Sequence, residues 1–89
     1  ATVKNVETQG EQSAAGLASM SGVILLEVSE NSKLWEHGFR RGQVIIRLEG
    51  EDVKDYSRLQ QLVSDYQWKE DLHVIVVHNQ QEKKLNLIK

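Results

Sequence analysis

Residues 22–50 (GVILLEVSENSKLWEHGFRRGQVIIRLEG) constrain the fold more tightly than any other part of the chain. Residues 23–28 are almost wholly apolar, as expected of a strand covered on both faces. A polar break follows, in which Asn31 or Ser32 is placed to cap a short helix over residues 33–37. Gly38 ends that helix, because glycine reaches the left-handed conformation that a helix stop prefers. Arg40, Arg41 and Gly42 turn the chain into a second strand over residues 43–49, where Val44, Ile46 and Leu48 alternate with Gln43, Ile45 and Arg47. Gly50 supplies the next turn.

The remaining segments extend this pattern. Residues 1–7 read as a strand, with Thr2, Val3 and Val6 as its β-formers. Residues 8–21 are small and polar and read as a long loop, with room for a helical turn over residues 11–18. Residues 51–53 form a short extended piece. Asp55 is an N-cap, and Leu59, Leu62, Val63 and Tyr66 fall at the i, i+3, i+4, i+7 spacing of an amphipathic helix. Residues 72–77 read as a central strand, residues 78–82 as a polar turn, and Leu85, Leu87 and Ile88 as part of a final strand, so that the chain ends in a hairpin. Five or six strands with one short and one longer helix fit an α+β, mostly β fold: a partly open barrel or sandwich capped by the helices.

At 89 residues the chain is expected to form one domain over residues 1–89. Domains of this size bury only about 60–65% of their unfolded surface, so little stability is in reserve. A formal net charge of −2 with scattered Lys and Arg argues against a nucleic-acid partner. No stretch approaches the ~20 apolar residues of a membrane span, so no membrane insertion is expected. The absence of Cys excludes disulfides, zinc-thiolate sites and thiol catalysis.

Chemistry is sparse. His73 and His78, five apart on a strand, point to opposite faces and cannot share one ion. His37 sits at a helix C-terminus, where positive charge is favoured. No hydrolase, metalloprotease, phosphate-loop or dinucleotide motif occurs. Glu49, Glu51, Asp52 and Asp55 crowd one region and are expected to form a solvated face, as is the turn at Arg40 and Arg41. The expectation is no enzyme activity, no metal and no cofactor. Trp35 is expected to pack at the core or its rim, and Trp68 to anchor the loop after the longer helix, with partner contact as the alternative for each.

Taken together, Gly22-Val23-Ile24, Ser29-Glu30-Asn31-Ser32, Gly38-Phe39, Gly42-Gln43-Val44-Ile45 and Glu49-Gly50 resemble the signature of a PDZ domain, and the similarity extends over roughly the whole chain. Two departures stand out. Gln43 occupies the place of the usual Asp, which is expected to loosen a turn hydrogen bond, and Lys33-Leu34-Trp35 replaces the commoner Pro-Ala-small pattern. The resemblance implies binding of an extended peptide, by addition of a strand to an unpaired sheet edge beside an apolar groove. It also implies a loop of backbone N–H groups for a terminal carboxylate.

Only five residues separate Gly16 from Gly22, too few for a peptide-binding strand followed by a turn. A strand at the N-terminus followed by a long loop is instead similar to the permuted, bacterial type of PDZ domain found beside secreted proteases. On that resemblance the pairing strand comprises Thr2, Val3, Lys4, Asn5 and Val6, and Leu59, Leu62 and Val63 form the other wall. The carboxylate loop then precedes Ala1 or includes only its last residue. Such a domain is expected to be part of a longer, extracytoplasmic protein, with a peptide or protein segment and a parent-chain catalytic domain, such as a hydrolase, as partners. The competing expectation is a structural appendage whose groove is closed and which packs against that catalytic domain.

Overall fold

The computed structural model describes residues 2–7, 10 and 21–88. Six strands, Thr2–Asn5 (β1), Val23–Glu27 (β2), Val44–Leu48 (β3), Glu51–Asp52 (β4), Asp71–His78 (β5) and Gln81–Ile88 (β6), form one open antiparallel sheet. The spatial order is β1-β2-β3-β5-β6, with β4 pairing to β3 off this path. Among the described residues, the helices Lys33–Glu36 (α1) and Tyr56–Asp65 (α2) accompany it. The main core lies on one face of the sheet, where Leu25, Ile45, Leu48, Val74 and Val76 pack with Phe39 and with Leu62 of α2. A smaller cluster of Val6 and Val44, with half-buried Ile24 and Ile46 against it, forms separately.

The expected alternation in β3 is broken. Ile45 pairs with Val76 and Arg47 with Ile75, so Ile46 is an extra residue, a β-bulge. The bulge shifts the two-residue period by one, which places Ile45 and Leu48 together in the main core while Val44 and Ile46 join the smaller cluster. A second register shift leaves Leu26 without a partner in β1 and 41% exposed. Residues 23–28 are therefore not covered on both faces throughout.

Local chemistry sets the turns. Ser32 is the N-cap of α1, its hydroxyl accepting from the Trp35 N–H at 3.3 Å. Gly38 ends the helix at φ +95°. Gln43, only 2% exposed, does not loosen the turn that precedes it: its Oε1 accepts from the Arg40 N–H at 2.9 Å, and its Nε2 donates to the Gly38 carbonyl at 3.3 Å. A carboxylate could make the first bond but not the second. Arg40 is likewise no solvated turn residue. Its guanidinium donates to the Trp35 and Phe39 carbonyls at 2.7 and 2.9 Å and lies 3.7 Å from the centre of the Trp35 ring. Trp35 is half-buried against the core, as expected. The last hairpin is tighter than its sequence indicated: only Asn79 and Gln80 lie outside the strands, both at positive φ (52° and 65°).

Candidate functional site

The candidate site is the edge of β1 together with the adjoining side of α2. β1 is the terminal strand of the sheet, paired with β2, and no other strand pairs with it among the described residues. Three bonds hold the start of α2 beside it. The Asn5 side-chain carbonyl accepts from the Tyr56 N–H at 2.7 Å. The Gly22 N–H donates to the Lys54 carbonyl at 2.9 Å, and the Val6 N–H donates to the Gly22 carbonyl at 3.2 Å. Only glycine fits at position 22, because φ is +122° and a Cβ would come within 2.7 Å of the Val44 side chain. Asp55 then caps α2, its Oδ1 accepting from the Arg58 N–H at 2.8 Å. This cap aims the apolar stripe of the helix at the sheet.

The residues expected to form the site separate into layers. Val3, Leu59 and Val63 are half-buried and pack on the edge of the main core. Leu62 is 1% exposed and belongs to the core beneath them. Thr2 is exposed, while Lys4 and Asn5 are half-buried. Val6 lies just past β1, its side chain buried in the smaller cluster with Val44. Asn5 has a role that sequence spacing did not reveal: its amide ties the strand to the helix across 51 positions of sequence. Most of the long loop expected over residues 8–21 falls outside the described residues.

In the acidic region Asp52 and Asp55 lie on a solvated face, as expected, while Glu49 and Glu51 are half-buried and bonded. The side chain of Glu49 pairs with Lys69 and accepts from the His73 N–H at 3.0 Å. These bonds, that from Lys69 first, hold its carboxyl below the usual carboxylate range. Glu51 accepts from the Tyr66 hydroxyl at 2.7 Å and pairs with Arg58 at 3.4 Å. The bond to the Glu51 carboxylate, and secondarily desolvation, push the Tyr66 phenol up. Asp52 pairs with Arg47 at 3.3 Å. Trp68 does not anchor its loop. It is 73% exposed, and Tyr66 provides the anchor through Glu51.

Among the described residues no group of three or more His, Cys, Asp and Glu is placed to hold a metal. The His73 Nδ1 lies 3.2 Å from the Asn86 side-chain oxygen. His73 and His78 lie an odd number of positions apart within the regular β5 and so face opposite ways.

Neither the protein-family models nor the curated proteins give a match to this sequence. Among solved structures, the chain is similar to the HtrA3 PDZ domain bound to a phage-derived ligand, FGRWV. The TM-score is 0.78 at 20% identity, over 98% of this chain and 78% of that one. An open six-stranded antiparallel sheet with two helices in this arrangement is the fold of a PDZ domain.

Proposed function

We propose that this chain is a peptide-binding module that takes an extended segment as an added strand on β1, beside α2. The observation that carries the proposal is the position of β1 at the end of the sheet, with Val3 on it and Leu59 and Val63 on α2 half-buried against the same core. In this reading the pairing edge is the side of the Thr2, Val3, Lys4, Asn5 and Val6 segment that faces away from β2, the Val6 N–H being already given to the Gly22 carbonyl. Leu59 and Val63 contact the ligand's side chains, and Leu62 supports them from below. The similarity to a PDZ domain bound to FGRWV supports a peptide as the ligand class. The module binds and does not catalyse. A strand-plus-pocket contact of this size corresponds to roughly micromolar affinity, near −8 kcal/mol.

The proposal extends, on the sequence resemblance, to the permuted, bacterial type, to an extracytoplasmic location and to attachment to a larger hydrolase. The test is a titration with the pentapeptide FGRWV, free and amidated at its C-terminus, followed by backbone amide shifts. The expected result is saturable shifts along β1 and α2, with Leu59→Ala weakening binding about tenfold. Loss of the shifts on amidation assigns carboxylate capture, and retention assigns binding of internal segments. No shift along β1 up to millimolar peptide overturns the proposal in favour of a structural appendage.

A further inference from the structure

A concavity of about 700 Å³ lies where the segment after α2 meets the sheet, and Val3, Leu59 and Val63 take no part in lining it. Its floor is a row of three residues paired directly across adjacent strands: Arg47 on β3, Ile75 on β5 and Lys84 on β6. An apolar side chain thus sits between two cations on one sheet face. Tyr66, Trp68 and Lys69 supply the opposite side.

Trp68 is the most exposed of the large apolar side chains described, at 73%. It is nonetheless presented on a fixed support. Its ring lies 6.2 Å from that of Tyr66 at a 49° tilt, and the Tyr66 hydroxyl is held by Glu51 at 2.7 Å. The Lys69 ammonium, itself bound to Glu49, lies 5.9 Å from the Trp68 ring centre. An indole held in place and left in water is a feature of docking surfaces, where Trp anchors dominate the binding energy.

The charges identify the occupant. The two carboxylates lining this concavity are engaged, Glu49 by Lys69 and Asp52 by Arg47. Lys84 forms no ion pair among the described residues. The Arg47–Asp52 pair is solvent-exposed, with side chains 51% and 73% accessible, so Arg47 is easily recruited by another carboxylate. A protein of net charge −2 therefore carries here a local positive excess around an apolar floor.

We propose that this concavity is a second docking site, for an acidic peptide segment of a partner protein. A carboxylate of that segment meets Lys84, and a neighbouring apolar side chain lies against Trp68 over Ile75. The proposal does not depend on peptide addition to β1.

The test uses acetyl-Asp-Phe-Glu-Leu-Glu-amide, blocked at both ends so that no terminal carboxylate takes part, and the neutral control acetyl-Asn-Phe-Gln-Leu-Gln-amide. The expected result is saturable shifts at the Trp68 indole N–H and at the Ile75 and Lys84 amides with the acidic peptide, weaker in 0.5 M salt. Lys84→Glu weakens binding about fivefold, and Trp68→Ala about tenfold or more. Both side chains are exposed, so both variants keep the parent's amide spectrum away from the site. Equal shifts with the neutral peptide, no shift at Ile75 and Lys84 up to millimolar peptide, or shifts confined to β1 overturn the proposal. A failure of FGRWV to bind β1 leaves these readouts unaffected.

Discussion

The sheet ends in two edges built on opposite plans. β1 has four residues, its end is tied to α2 through Asn5, and Val3 of the strand packs with Leu59 and Val63 of the helix against one core. β6 has eight residues, and the exposed side chains along it include Glu82, Lys83, Lys84 and Asn86. An unpaired edge is a template for any extended chain, and charged residues, lysine above all, are a common way to discourage such pairing. The longer edge is thus the guarded one. The shorter edge has the half-buried Leu59 and Val63 of α2 beside it, and that neighbour is why the proposed site is placed on β1 and not on β6.

The largest expected difference between the two ends is in stability. Leu62→Ala, which empties a fully buried position in the core beneath Val3 and Val63, should cost about 2–5 kcal/mol in urea unfolding. Leu87→Ala on half-buried β6 should cost about half that or less. Equal costs would remove the asymmetry. Next comes the tether. Asn5→Ala leaves the Tyr56 N–H without its partner and should cost about 1 kcal/mol, with a parallel loss of affinity for FGRWV. Asn86→Ala, at an exposed contact to His73, should change stability by less than about 0.5 kcal/mol.

The guard on β6 is tested by Glu82→Val combined with Lys83→Val. Folding stability should change by about 0.5 kcal/mol or less, while sedimentation shows concentration-dependent self-association absent from the parent. A strictly monomeric variant would mean that charge is not what protects this edge.

The smallest effect concerns Glu49, which lies away from both edges. Its folded-state pKa is lowered, so its contribution is complete above the unfolded value near 4.5 and is lost as pH falls through the lowered folded value. Urea midpoints measured from pH 6 down to pH 3 should fall less steeply in Glu49→Gln than in the parent. Identical slopes would show that the bonds from Lys69 and His73 carry no pH-dependent stability.

Much of this arrangement was legible in the residues. The Asp55 cap, the Leu59–Leu62–Val63–Tyr66 stripe and the glycine stops at positions 38 and 50 act within a few residues of themselves, so their consequences follow from local spacing. The bulge at Ile46 was not legible, because all three of Val44, Ile45 and Ile46 are apolar and either register buries some of them. The Asn5 tether and the Glu49–Lys69 and Glu51–Tyr66 bonds join residues 15 to 51 positions apart, and only the folded arrangement brings them together. Trp68 was misplaced for a related reason. A Trp after a helix usually buries itself, but here Tyr66, held by Glu51, has already taken the anchoring role. Gln43 was misjudged by comparison with Asp, whose side chain lacks the N–H that reaches Gly38.

The most direct test of the peptide-docking account is amide hydrogen exchange with and without saturating FGRWV. The account predicts slower exchange along β1 and an unchanged pattern along β6. Protection appearing on β6, or none on β1 at full occupancy, would contradict it.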